Sequence, residues 1–223
     1  MAKHHKRAAW QRNIIHVAWV VLIIAVIQIL LPDAATSGVP DAVTIGPNWL
    51  IPAIEIVGAP AVLYLLGATG TPSRRLRVAS IAYLVFLVFA SVLNASLLFI
   101  TMLRGGVSNG RDLLFAGFGV LIINVLSFGV IYWFMDGGGP EIRHKGHVKN
   151  WDFQFPQQAS DMKWTPELPD YLYTAYTNII AFSPTDTMPL THRAKLLFTI
   201  QSAVSLVTIT VVLSAAINLI NIR

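Results

Sequence analysis

The chain has 223 residues, of which 55% are hydrophobic and only 12% are charged, and its mean hydropathy is +0.62. These proportions exclude an ordinary water-soluble domain, in which about a quarter of the residues are charged. The sequence contains no cysteine, which excludes disulfides and thiolate metal sites, and its formal net charge is +5.

Five blocks of the sequence are long and apolar enough to cross a membrane as helices. They comprise residues 13–31, 48–67, 78–102, 113–135 and 196–221. A hydrocarbon core about 30 Å thick needs about 20 helical residues, and only helices and closed barrels satisfy their backbone groups in lipid. None of the blocks alternates polar and apolar residues as barrel strands do. The sequence therefore predicts an all-α, polytopic membrane helix bundle with about five transmembrane helices.

The Lys and Arg residues are distributed unequally between the loops. With the N-terminus in the cytoplasm, thirteen of the sixteen lie on the cytoplasmic side, so the positive-inside rule predicts that orientation. The first block is interpreted as an anchor that stays, because its apolar run of about 18 residues is long for a signal peptide. The net charge is thus explained by topology, and membrane lipid is an expected partner whereas nucleic acid is not.

The chain divides into three regions by composition. Residues 1–135 form a basic N-terminal arm and four predicted spans, and residues 136–169 are a polar and aromatic loop expected at the membrane interface. Residues 170–223 contain an aromatic segment of about 13 residues, a turn and the last span. Because that segment is too short to cross a membrane, we expect an interfacial or re-entrant helix before the final span.

Glu55 is the only acidic residue inside the five blocks, and it lies between Pro52 and Pro60, each of which can open a helix locally. An ionisable side chain in hydrocarbon costs about 2.5 kcal/mol or more unless it faces protein, water or a partner. Counting along the helices places Asn94 at a similar depth and Gln28 somewhat shallower. These three residues are candidates for an ion or proton site; the alternative is that Glu55 only hydrogen-bonds neighbouring helices.

The C-terminal third resembles a known pattern. Asp170, Tyr173, Thr177, Phe182 and Asp186, followed by a Thr and an Arg, resemble the end of a family of uncharacterised bacterial inner-membrane proteins, known only as a domain of unknown function. The resemblance implies about five spans and a multi-pass location in the bacterial inner, or plasma, membrane. It implies no particular activity.

The same stretch is also similar to the pore helix, filter and inner helix of two-span potassium channels. Ser183, Pro184 and Thr185 stand where those channels have Gly-Tyr-Gly, so potassium selectivity is not implied. What the similarity implies is a pore segment. Its candidate residues are Tyr173, Thr177, Asn178, Phe182, Ser183, Thr185 and Asp186.

The last two spans carry polar side chains of the kind that join helices in a membrane. The candidates for helix interfaces are Asn124, Gln201, Ser205, Thr208, Ser214 and Asn218. In the last span they form two stripes on nearly opposite sides. One stripe is expected to face the bundle and the other a second subunit or a water path; the alternative is hydrogen bonding within the chain only.

Two functions from different classes remain open. The first is a channel-like or transport role for a small ion, in a homo-oligomer. The second is a non-catalytic accessory or scaffold subunit of a larger membrane complex. An enzyme is not predicted, because the sequence has no nucleophile and base at catalytic spacing and no paired intramembrane acids. No metal and no cofactor are predicted, since His144 and His147 lie among lysines in a loop.

Overall fold

The structure is a computed structural model that describes residues 16–30, 53–54, 56–58, 74–103, 110–146, 148–160, 164–181 and 186–221. Six helices and two short strands are labelled in chain order. They are α1 (His16–Leu30), α2 (Arg74–Leu103), α3 (Gly110–Met135), α4 (Pro140–Lys145), β1 (Phe153–Gln154), α5 (Leu168–Ala181), β2 (Met188–Pro189) and α6 (His192–Asn221).

Among the described residues, three helices are long and apolar enough to cross a membrane: α2, α3 and α6. Each begins three or four residues before the apolar block that predicted it. The blocks mark the thickness of the hydrocarbon, whereas a helical backbone continues into the polar interface on either side. The chain is therefore compatible with an integral membrane protein.

The first two predicted spans are described less completely. Helix α1 has 15 residues, and its buried residues recur at the spacing of one helix face, from Val17 through Ile24 to Gln28. That face joins the same apolar core as Tyr83 and Leu87 of α2. Of the second block, residues 53–54 and 56–58 are helical, and Glu55 lies outside the described residues.

Helix α3 is the centre of the bundle, since it contacts α2, α5 and α6. Two glycines let its neighbours approach closely. A Cβ atom at Gly117 would lie 2.3 Å from a methyl carbon of Val212 in α6. At Gly129 it would lie 2.5 Å from the side chain of Leu172 in α5 and 3.1 Å from the Cα atom of the same residue. The small residues of α3 thus serve the helix packing that such residues support in membranes.

The segment between α3 and α5 folds across one end of the bundle. It contains two 3-10 turns, Asp136–Gly138 and Pro156–Ala159, together with α4 and β1. Strand β1 pairs in antiparallel fashion with β2, with Phe153 opposite Pro189 and Gln154 opposite Met188. Its aromatic side chains point inward: Phe153 is fully buried and stacks on Phe198 of α6, with 5.5 Å between ring centroids.

Candidate functional site

Helix α5 enters the bundle beside α3 and α6 and does not cross it. Near its start, the Tyr171 hydroxyl donates to Asp136, just beyond the end of α3, with an O–O distance of 2.6 Å. Further along, Leu172 contacts Gly129 of α3, and the carbonyl of Ala175 accepts from Gln201 of α6. With 14 residues α5 is about 21 Å long, which is short of the hydrocarbon thickness.

The chain that follows α5 returns to the level at which the helix began. The Thr187 hydroxyl lies 2.9 Å from the Thr174 hydroxyl on the second turn of α5, and both side chains are buried. Directly after Thr187, β2 pairs with β1 at the end of the bundle. Helix α5 therefore lies beside α3 and α6, and β2 is back at the end of the bundle where α5 begins.

The side chain of Asp136 connects three parts of the chain at the end of α3. Its side chain is fully buried. The Oδ1 atom accepts hydrogen bonds from the backbone amides of Asp152 and Phe153, at 2.8 and 3.1 Å, and Oδ2 accepts from Tyr171. A buried carboxylate is tolerated when donors surround it in this way.

Arg143 closes the C-terminal end of α3. Its guanidinium donates to the backbone carbonyls of Asp136 and, at 2.6 Å, Trp133, which are among the last carbonyls of the helix. The cation also lies 5.7 and 5.3 Å from the ring centroids of Trp133 and Tyr171. A cation at a helix C-terminus satisfies unpaired carbonyls and offsets the negative end of the helix dipole.

Three glycines make this closure possible. Gly137, Gly138 and Gly139 all have positive φ, and Gly139 has φ 107° and ψ 164°, a conformation that is open essentially to glycine alone. The chain therefore reverses immediately after α3. That reversal brings α4, and with it Arg143, back over the helix end.

Asp152 fixes the start of α6. Its carboxylate is fully buried and accepts from the Thr191 hydroxyl and from Nε of Arg193, both at 2.6 Å. The Thr191 Oγ1 atom in turn accepts from the backbone amide of Ala194 at 3.3 Å, so Thr191 is the N-cap of α6. The side chain of Arg193 is 59% exposed, which places this ion pair at the surface of the bundle end.

We call Asp136, Arg143, Asp152, Tyr171 and Arg193 the charged cluster. Burial raises the pKa of Tyr171 well above its usual value, so that its hydroxyl is a neutral donor at pH 7. Burial also lowers the pKa of Arg143, although an arginine keeps its proton in proteins. The two carboxylates therefore face two guanidinium groups and one neutral phenol.

A second polar group lies deeper in the bundle. Gln201 of α6 is fully buried and uses both of its amide atoms. Its Nε2 atom donates to Oδ1 of Asn124 at 3.1 Å and to the carbonyl of Ala175 at 3.0 Å. Its Oε1 atom accepts from the Tyr132 hydroxyl at 2.6 Å and from Nδ2 of Asn178 at 2.8 Å. We call Asn124, Tyr132, Asn178 and Gln201 the amide network, and it joins α3, α5 and α6 without a formal charge.

The predicted pore residues lie in different environments. Asn178 is buried in the amide network, and the half-buried Thr177 donates to the carbonyl of Thr174 at 3.0 Å. Tyr173 is 52% exposed, and Asp186 lies on an exposed bend. Three further candidates, Phe182, Ser183 and Thr185, lie outside the described residues.

The predicted helix-interface residues separate by depth of burial. Asn124, Gln201, Ser205 and Thr208 are all buried, and the last two donate to the carbonyls of Gln201 and Val204 on their own helix. Ser214 is half-buried, whereas the side chain of Asn218 lies outside the described part of the chain.

The predicted ion-site residues are placed only in part. Gln28 is buried on α1 with 6% exposure, and Asn94 is half-buried on α2. The Nδ2 atom of Asn94 has no hydrogen-bond partner among the described residues. The relation of either residue to Glu55 falls outside the part of the chain that the structure describes.

Sequence reasoning missed Asp136 and Arg143. Asp136 directly follows the fourth apolar block and precedes three glycines, and Arg143 lies within a basic loop. An acidic residue at the last position before a glycine turn was the available signal. Counting only residues inside the apolar blocks left it out.

Comparisons with known proteins do not assign the chain to a family. No family model, no curated protein and no solved structure matches the chain. Within the described ranges, no group of three His, Cys, Asp or Glu side chains is placed to hold a metal ion.

Proposed function

We propose that the chain is a five-span bacterial inner-membrane protein with a channel-like or transport role for a small ion, acting as a homo-oligomer. The observation that carries the proposal is that α5, with 14 residues too short to span the hydrocarbon, packs beside α3 and α6, while β2 lies back at the end of the bundle where α5 begins. This arrangement supports a re-entrant segment. A half-inserted helix and the segment that returns from it are a means by which membrane proteins bring irregular backbone to the depth of the bilayer. Such backbone is tolerated there where it lines a cavity or is covered by protein.

The outward face of α5 supports the oligomeric part of the proposal. Tyr173, Tyr176 and Ile180 recur at helical spacing and are 52%, 52% and 60% exposed. Large exposed side chains that follow one face of a short helix are suited to packing on a second subunit.

The charge distribution supports an orientation. With the N-terminus in the cytoplasm, the charged cluster and the starts of α5 and α6 lie at the cytoplasmic end of the bundle. The re-entrant segment would then open from the cytoplasmic side. Asp186, on its exposed bend, would face that entrance and attract cations.

Ion flux into liposomes tests the proposal. We expect purified full-length protein to dissipate a gradient of a small monovalent cation or of protons faster than empty liposomes do. We expect Asp186→Asn to lower cation flux, because it removes the charge at the entrance. Glu167→Gln is the matched control, since Glu167 is an exposed acid before the start of α5. Folded protein that carries no flux under any gradient contradicts the transport role.

A second function is favoured by a different observation. All four hydrogen bonds of Gln201 are made within one chain. A bundle whose central amide is satisfied within the chain and whose outer faces are apolar fits an accessory or scaffold subunit of a membrane complex. Mass measurement of the protein purified in mild detergent separates the two. A symmetric oligomer of this chain supports transport, whereas a single copy that always copurifies with the same other chains supports the accessory role.

A further inference from the structure

An open groove of about 650 Å³ runs along the outside of α6. One wall is α6 from Lys195 to Leu206, and the other is formed by Asn178 of α5 and Pro189 of β2. The groove is separate from the interior of the amide network. The amide of Asn178 faces inward, where its Nδ2 atom donates to Gln201 and to the carbonyl of Phe198.

The two ends of the groove differ in chemistry. Lys195 lies in the first turn of α6, at the end of the groove nearest the end of the bundle. Its side chain is exposed and has no ion-pair partner among the described residues. Deeper along the helix the lining includes Phe198, Ala203 and Leu206. The distance along the helix axis from Lys195 to Leu206 is about 16 Å, which is about half the thickness of a hydrocarbon core.

The polar groups between these ends are already satisfied. The Ser202 hydroxyl donates to Oδ1 of Asn178 at 3.3 Å, and the Thr199 hydroxyl donates to the carbonyl of Lys195 at 3.0 Å. The floor of the groove therefore presents apolar surface below a single cation. Because α6 is long and apolar enough to span a membrane, this outward face would meet lipid in a bilayer.

We propose that this groove is a binding site for one anionic phospholipid, with an acyl chain along Phe198, Ala203 and Leu206 and the headgroup phosphate paired with Lys195. The length of the groove matches one leaflet, and its single cation lies where the headgroups of that leaflet lie. The exposed His192, one turn from Lys195, adds a second donor at the same end. The site does not depend on the ion-transport role proposed above.

Native mass spectrometry of the full chain in detergent tests the site. The probes are phosphatidylglycerol and phosphatidylcholine with the same acyl chains. We expect one molecule of phosphatidylglycerol to remain bound in preference to phosphatidylcholine. We expect Lys195→Gln to weaken phosphatidylglycerol binding by about fivefold, the effect of one cation near an anionic headgroup. Lys149→Gln is the control, because Lys149 is exposed in the segment between α4 and β1.

A second pair of variants tests the groove itself. Ala203→Trp places an indole in the groove and is expected to abolish retention of either lipid, whereas Leu213→Trp, at a residue 59% exposed and outside the groove, leaves retention unchanged. Lys195→Gln lies on the surface and reports on the headgroup contact even where Ala203→Trp fails to fold. Equal retention of the two lipids by wild-type protein, or no effect of Lys195→Gln, overturns the proposal.

The alternative occupant is a second copy of the chain. Since the sequence has no cysteine, Ala203→Cys introduces a single thiol into the groove. We expect the Ala203→Cys protein to form no disulfide-linked dimer under oxidising conditions in membranes, because lipid covers the thiol. A disulfide-linked dimer through Ala203→Cys shows that another subunit occupies the groove and overturns the lipid site.

Discussion

The charged cluster and the amide network hold the same helices together, the first with charged side chains and the second with neutral ones. Both join α3, α5 and α6, and both are largely buried. The charged cluster lies at the end of the bundle, where backbone amides are available as donors, and its two carboxylates are matched by two guanidinium groups. The amide network lies deeper and uses only neutral groups. The difference follows from the cost of charge in hydrocarbon, which rises with depth.

The short helix α5 is held in two ways. The charged cluster fixes the start of α5 through Tyr171, and the amide network fixes its middle through Ala175 and Asn178. Weakening the first should loosen the whole segment between α3 and α6. Weakening the second should let only the inner part of α5 move.

The largest effect is expected from Asp136→Ala. This change leaves two backbone amides and the Tyr171 hydroxyl without their acceptor and removes the charge next to Arg143. We expect the free energy of unfolding to fall by about 3–5 kcal/mol, because each of the three buried donors left without an acceptor costs about 1–3 kcal/mol. Unfolding in mixed micelles, followed by circular dichroism, measures it. Asp186→Ala, at an exposed acid, is the control, and equal midpoints for the two variants contradict the role of Asp136.

A smaller effect is expected from Gly129→Ala. The added methyl group meets both the side chain and the Cα atom of Leu172, so α5 itself must shift. Overpacking of this kind costs about 1–3 kcal/mol. Gly117→Ala is the comparison, because there the near atoms all belong to the side chains of Val212 and Leu98 and none to the backbone. The same unfolding assay should rank Gly129→Ala as the more damaging change, and the opposite order would show that α5 is not held tightly against α3.

Gln201→Leu tests the neutral half of the comparison. It removes four hydrogen bonds at once, yet hydrogen bonds between membrane helices contribute modestly, so we expect a loss of about 1–2 kcal/mol. A double-mutant cycle with Tyr132→Phe should show that the two changes are not additive, since one hydrogen bond is shared. Thr210→Val serves as control, because Thr210 is exposed and bonds only to the carbonyl of Leu206. Additive effects of the two changes would show that the amide network does not act as one unit.

The smallest effect is expected from Arg193→Lys. The change keeps the charge but loses the two-point contact with Asp152. Because the side chain of Arg193 is 59% exposed, solvent screens the pair, and we expect a loss of about 0.2–1 kcal/mol. The difference between wild type and variant should shrink as salt is raised. A loss as large as that of Asp136→Ala would mean that the pair is shielded from solvent.

Much of the fold was accessible from the sequence because hydropathy reports the solvent of each segment. The blocks at 78–102, 113–135 and 196–221 correspond to α2, α3 and α6, and a short helix precedes the last span. Each of these helices begins three or four residues before its apolar block, because the polar residues that extend a helix beyond the hydrocarbon carry no apolar signal. The total of five spans stays a prediction.

The contacts of the site were harder to foresee. Asp136 meets Tyr171 across 35 positions of sequence, and Gln201 meets Asn124 across 77. Periodicity places a residue on a helix face, but it does not say which other helix lies opposite. The sequence singled out Asn124, Asn178 and Gln201 separately, without showing that they touch. It missed Asp136 because a charge at a span end resembles an ordinary loop residue until its donors are known.

The position of Asp136 has a consequence for biosynthesis. Its donors at residues 152, 153 and 171 are all translated after it, and at about 5–20 residues per second the Tyr171 hydroxyl follows about 2–7 seconds later. Until Tyr171 has been added, the carboxylate at the end of α3 lacks that donor. A released chain truncated before Tyr171 should therefore be more open to protease at residues 136–160 than the full chain.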